Sequence, residues 1–276
     1  MAFSRKLRDP LLAKLLGIGA PLLDALRALD LRIRDNEINF YSADKSLLKV
    51  SQSALVLHYK YAAGCELAGA RKSKGGYLSL PFTEQSVTEV LEHLPSILKN
   101  VREHAGVEGP WEEALVRANE HGTPLVVLDR QVRRPGDGDQ RRLDLVAVTT
   151  DEAPMLVAIE LKRGDDNRIQ EVPEQLHKYL EMLDPDGEGL SADVADAYRI
   201  ACTQLKSLGR VGPDPRTLTA GMPVRGLLVL ADYNPRSTLL ARARECARRL
   251  PRPMFLWTTA KRDAPVPIPQ DWQPLQ

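Results

Sequence analysis

The chain has 276 residues, 43% hydrophobic and 27% charged, with 38 Lys plus Arg against 37 Asp plus Glu for a net charge of +1. This is the composition of a soluble globular protein of roughly two domains, and it excludes full-length disorder and fibrous classes. It also excludes a global basic field, so a nucleic-acid ligand has to be held by a local patch. Cys65, Cys202 and Cys246 are odd in number, far apart and without a CxxC pair. They read as reduced thiols of a cytoplasmic protein, not as a disulfide framework or zinc site.

Leu11 to Leu31 is interrupted by Lys14, Asp24, Arg27 and Asp30, while its leucines recur at helical spacing. The stretch reads as one or two amphipathic helices, with Pro21 opening the second, and not as a membrane span or signal peptide. From Leu31 the period changes to two. Leu31, Ile33, Ile38 and Phe40 alternate across an Asp35-Asn36 turn, and Leu55, Leu57, Tyr59 and Tyr61 alternate again, which predicts a small antiparallel sheet. The basic loop Arg71-Lys72-Ser73-Lys74-Gly75-Gly76 follows. Thr83 then caps a helix reaching Val101, which Pro95 kinks or splits. Gly106 to Pro110 marks a domain boundary, so residues 1–106 are expected to form a smaller α+β accessory domain.

Beyond Pro110 the pattern is regular: a helix over Trp111–His121, a strand Leu125–Val132, a turn Pro135–Asp139, a strand Leu143–Val148 and a strand Met155–Lys162. Helices follow at Glu171–Leu183 and Ala192–Leu208. A strand Val224–Ala231, a helix Ser237–Leu250 and a strand Met254–Thr258 complete the set. Helix, three-strand meander, helix, strand, helix, strand is the order of an α/β domain with a mixed sheet flanked by helices. It is expected over 107–262, with a Pro-rich extended tail over 263–276.

The chemistry concentrates between Asp144 and Tyr179. Asp144 interrupts an apolar strand, and Glu160 and Lys162 end the next one. Strand alternation puts Glu160 and Lys162 on one face, and a hairpin between the two strands brings Asp144 near Glu160. Buried charges cost several kcal/mol unless they are paired or bind metal, and two adjacent acids invite a hard divalent cation such as Mg²⁺ (or Mn²⁺). A structural ion-pair cluster is the plainer interpretation. Three features weigh against it: the acid at hairpin distance, the basic Arg163-Gly164 exit into a polar loop, and Gln175 and Tyr179 at i and i+4 on the next helix.

Leu143-Asp144, Glu160-Leu161-Lys162 and Gln175-x-x-x-Tyr179 together resemble the PD-(D/E)XK nuclease superfamily, with its restriction-endonuclease-like fold. The last element looks like the Q-x-x-x-Y motif of RecB-like branches, and the context is similar to NucS-like endonuclease domains. The resemblance covers roughly residues 110–260. It implies a DNA phosphodiesterase, in DNA repair or phage defence, with Asp144 and Glu160 as metal ligands and Lys162 acting on the attacking water. It assigns Glu112 to complete the site, with Glu113 as the alternative, and puts Gln175 and Tyr179 near the scissile phosphate. Leu143 replaces the proline of the family name. Arg163 and the Arg71, Lys72 and Lys74 loop are candidate DNA contacts. Cutting both strands calls for two sites and hence a homodimer. No membrane partner is expected. The rival class is a nucleic-acid-binding or assembly protein that kept the fold and lost catalysis.

Overall fold

The computed structural model describes residues 3–73, 75–106, 108–120, 122–134, 142–233, 236–259 and 267–276. Over the described residues the protein is mixed α/β, with two six-stranded sheets, and the chain splits into two compact units. Lys74 and the turn expected at Pro135–Asp139 lie outside the described residues.

One unit comprises Ser4–Glu113 and Thr203–Val211. It opens with α1 (Asp9–Leu16) and α2 (Ala20–Ala25), each with a proline in its first turn, where the missing N–H has no intrahelical partner to lose. The first sheet contains β1 (Asp30–Arg34), β2 (Glu37–Ser42), β3 (Lys45–Ser51), β4 (Ala54–His58), β5 (Arg71–Lys72) and β6 (Tyr77–Pro81), in the order β1-β2-β3-β4-β6-β5, antiparallel throughout. Asn36 turns β1 into β2 at φ 50°. The sheet is larger than the sequence predicted. The segment 71–76, read as a loop, begins with the edge strand β5, and the alternation ends at His58 before Tyr59 and Tyr61.

The helix predicted from Thr83 to Val101 is two helices, α3 (Glu84–Glu92) and α4 (Leu94–Glu103). The Thr83 hydroxyl accepts from Ser86 N–H to start the first, and Pro95 sits in the first turn of the second. Thr203–Val211 belongs to this unit through polar contacts that have no sequence signature. Gln204 exchanges two 2.8 Å hydrogen bonds with the Leu7 backbone. Arg210 donates to the carbonyls of Leu23, Leu26, Arg27 and Leu29, closing the end of α2 that its own N–H groups leave open.

α5 (Gly109–Ala118) leads into the other unit, which is Met1–Phe3, Ala114–Cys202 and Gly212–Gln276. Its strands are β7 (Leu125–Val132), β8 (Leu143–Thr149), β9 (Leu156–Arg163), β10 (Val224–Ala231), β11 (Met254–Thr259) and β12 (Gln273–Pro274). A 3₁₀ turn at Asn167–Glu171 and α6 (Val172–Leu183) follow β9. α7 (Ala192–Ser207) and α8 (Leu239–Arg248) complete the helices. The sheet order is β12-β11-β10-β9-β8-β7. β7, β8 and β9 form an antiparallel meander, while β9, β10 and β11 run parallel. The C-terminal tail contributes β12 to the free edge of β11.

β9 and β10 are apolar along most of their length because both faces are covered. α6 buries Val172, Leu176, Leu180 and Leu183 in the same core as Ala158, Leu228 and Leu230. Charged groups on the two strands therefore stand out against an apolar background. Among the described residues, no helix is long and apolar enough to cross a membrane.

Candidate active site

The antiparallel ladder between β8 and β9 runs from Val148↔Leu156 to Leu145↔Ile159 and stops there. Asp144 and Glu160 are the next residues on each strand. β9 does not fray at this point, because its other edge stays paired to β10 through Glu160↔Leu228, Leu161↔Val229 and Lys162↔Leu230. The opening is therefore one-sided. Asp144 fills it by accepting the Leu161 N–H on Oδ2 at 2.8 Å, so a carboxylate takes the place of a backbone acceptor. Left unpaired, that amide would cost about 1–3 kcal/mol.

Lys162 Nζ donates to Glu160 Oε1 at 2.6 Å and to Leu161 O at 2.8 Å, and lies 3.8 Å from Asp144 Oδ2. Glu160 and Lys162 are 2% and 7% exposed, and the Asp144 side chain retains 18%. Two acids and one base thus share a largely dry site. Burial, reinforced by the neighbouring Asp144 charge, pushes the Glu160 carboxyl up to about 8, against the opposing pull of Lys162 and, more weakly, Gln175. Burial likewise raises Asp144, opposed by Lys162, the Leu161 N–H, Arg130 and Arg168.

Gln175 on α6 donates to Arg142 O at 3.2 Å and so ties the helix to the residue that precedes β8. Tyr179, one turn further on, is 3% exposed and packed in the apolar core. Arg163 pairs with Asp165 at 3.0 Å and keeps 29% exposure. Gly164 then passes so close to the chain after β10 that a Cβ there would lie 2.5 Å from Tyr233 Cα and 2.6 Å from Asp232 O. Only glycine fits this exit.

The remaining sequence candidates belong to the other unit. Glu112 is 4% exposed, and Glu113 Oε2 accepts the Ala43 N–H at 2.8 Å. Arg71 and Lys72 are exposed on β5.

Arg168 and Arg130 escaped the sequence reading. Asp166 caps the 3₁₀ turn by accepting from Arg168 N–H, and it is forked by the Arg168 guanidinium at 2.6–3.2 Å. Burial works against its charge, but the Arg168 hydrogen bonds and charge, with Lys162 behind them, hold its carboxyl below the usual range. Arg130, fully buried on β7, adds positive charge toward Asp144. The reasoning that singled out Asp144, a charge within an apolar strand, applies equally to Asp129-Arg130 in Leu-Val-Val-Leu-Asp-Arg-Gln-Val.

A divalent cation suits this donor set. Among the described residues the buried Glu160 Oε2 has no hydrogen-bond partner, and the acids offer the hard oxygens that Mg²⁺ and Mn²⁺ prefer. Among the described residues, no group of three or more His, Cys, Asp or Glu that could hold a metal is found; Asp144 and Glu160 are the two carboxylates that Lys162 joins here. Comparison of the chain with family models, curated proteins and solved structures finds no match.

Proposed function

We propose that this chain is a metal-dependent nuclease that hydrolyses DNA phosphodiester bonds, with a PD-(D/E)XK-type site in a restriction-endonuclease-like sheet. The observation that carries this reading is the convergence of Asp144, Glu160 and Lys162 where the β8–β9 ladder opens, with Glu160 Oε2 buried and, among the described residues, unpartnered. Stability alone does not call for such a cluster, since apolar residues of similar volume serve a buried site as well or better. Asp144 and Glu160 would hold Mg²⁺ or Mn²⁺, which when bound supplies positive charge to polarise a phosphate and a water.

Lys162 acts at Nζ. It donates to Glu160 Oε1 and Leu161 O and lies 3.8 Å from Asp144 Oδ2, where its charge would stabilise charge developing on the phosphate or its ammonium would join the proton transfer from water. Gln175 is a positioning residue, holding the start of β8 through Arg142 O. Arg163 and Arg168 line the exit from β9, each paired with an aspartate, and would exchange those partners for the DNA backbone.

A second reading, a nucleic-acid-binding protein without catalysis, is favoured by the direct pairing of Lys162 with Glu160, which partly neutralises the site from within. Incubating the full chain with single-stranded, duplex and branched DNA, in Mg²⁺, Mn²⁺ or EDTA, separates the two. Metal-dependent products from the parent and none from a folded Glu160→Gln variant support the nuclease. DNA left intact by the folded parent in every metal would refute it and leave the second reading.

A further inference from the structure

The N-terminal unit carries a surface of different chemistry. Aromatic residues make up only 5% of the chain, with seven tyrosines, yet Tyr59, Tyr61 and Tyr77 gather with His58 and His104 at one end of the β4–β6 pair. His58 and Tyr77 are cross-strand partners with ring centroids 5.3 Å apart, edge to face. His58 also lies 4.9 Å from Tyr59, inclined by 31°, and 5.4 Å from Tyr61. Tyr61 reaches His104 at 6.3 Å. Tyr61 is 8% exposed and forms the base of the cluster, whereas Tyr59 and Tyr77 keep 42% and 44% of their surface.

The exposure of these two rings is built into the backbone. Gly76, at φ 81°, lets the Tyr59 ring lie against the chain; a Cβ at this position would fall 2.8 Å from two ring carbons. Tyr59 N–H donates to Gly76 O at 2.8 Å, which fixes the approach.

Cations border the rings. Lys72 Nζ stands 5.0 Å from the Tyr59 centroid, with Arg71 beside it on β5 and Lys60 following Tyr59, all exposed. Among the described residues, none of the three meets a carboxylate at ion-pair distance. Burial and then the Lys60 and His104 charges hold His58 below its ordinary value, while burial and then the Asp44 charge raise Tyr61 at the base of the cluster.

We propose that this surface binds a single-stranded nucleic-acid segment, with Tyr59 and Tyr77 stacking on unpaired bases and Lys60, Arg71 and Lys72 contacting phosphates. Exposed π-faces bordered by unneutralised cations match the two halves of such a strand, and aromatic stacking tolerates any base. A duplex keeps its base faces stacked internally and offers only phosphates. Lys72 covers a face of Tyr59 in the free protein; its flexible stem lets a base take that face while the ammonium moves to a phosphate. The inference goes beyond the catalytic reading and does not need it, because binding here stands whether or not the Asp144 site cuts.

The test is fluorescence anisotropy of the full chain in EDTA, so that cleavage plays no part, with labelled oligothymidine, oligouridine and a duplex of equal length. Single strands should bind more tightly than duplex, and the preferred sugar assigns the strand as DNA or RNA. Tyr59→Ala and Tyr77→Ala should each weaken binding about 5- to 100-fold, while Tyr59→Phe and Tyr77→Phe, which keep the ring, should retain it. Arg71→Ala and Lys72→Ala, on an exposed edge strand, should each lower the slope of log K against log salt by about 0.7. The salt slope decides the matter even where a tyrosine variant folds poorly. Alanine variants that bind like the parent, duplex binding equal to single-strand binding, an unchanged salt slope, or no binding of either oligonucleotide would overturn the proposal.

Discussion

Asp144 has two roles that a pair of substitutions separates. Its Oδ2 accepts the Leu161 N–H at 2.8 Å, and its charge lies 3.8 Å from Lys162 while raising Glu160. Asn keeps an oxygen for the amide and loses the charge, so lost attraction to Lys162 is offset by relief of repulsion with Glu160. Asp144→Asn should therefore stay within about 1 kcal/mol of the parent. Ala also removes the acceptor, leaving Leu161 N–H unpaired on a strand covered on both faces. Asp144→Ala should be less stable than Asp144→Asn by about 1–3 kcal/mol, still within the margin of about 5–15 kcal/mol typical of folded proteins. Urea unfolding in EDTA, followed by circular dichroism, measures the difference, and cleavage should be abolished in both variants. Equal stability of the two would refute the backbone-acceptor role. Parent-like cleavage by a folded Asp144→Asn protein would remove the residue from the chemistry.

The raised Glu160 pKa favours the protonated form in the fold. Its contribution to stability is complete below about pH 4.5 and is lost as pH rises through about 8. In EDTA the melting temperature of the parent should fall across that window more steeply than that of Glu160→Gln; parallel profiles would contradict the assignment. Lys162→Ala should slow cleavage by about 10²–10⁴, and Lys162→Arg should not rescue it, because a guanidinium stays charged and has another shape; an arginine variant within about threefold of parent would reduce Lys162 to a counter-charge. Gly164→Ala forces the β9 exit away from Asp232 and Tyr233 and should destabilise the fold by about 1–3 kcal/mol, an effect absent if the contact is looser than the geometry requires.

The meander and the parallel strands were legible because β8, β9 and β10 are short apolar runs broken by turns, and Asp144, Glu160 and Lys162 were legible because charge there is out of pattern. Strand alternation also anticipated that Glu160 and Lys162 would meet. What the sequence hid depends on distant partners. β5 and β6 pair across a Gly-rich turn that reads as loop, and Gln204 and Arg210 join the N-terminal unit through backbone carbonyls about 180–200 residues away, which no local period encodes. Arg168 is unremarkable in sequence and acquires its place only through the cap that Asp166 makes.

Whether Asp144 and Glu160 form a divalent-cation site is read by calorimetric titration of the folded, metal-free chain with Mn²⁺. The parent should bind a single ion saturably, and binding should be lost in both Asp144→Asn and Glu160→Gln while their folds persist. Binding in those variants that matches the parent, or no binding by the parent at all, would contradict it.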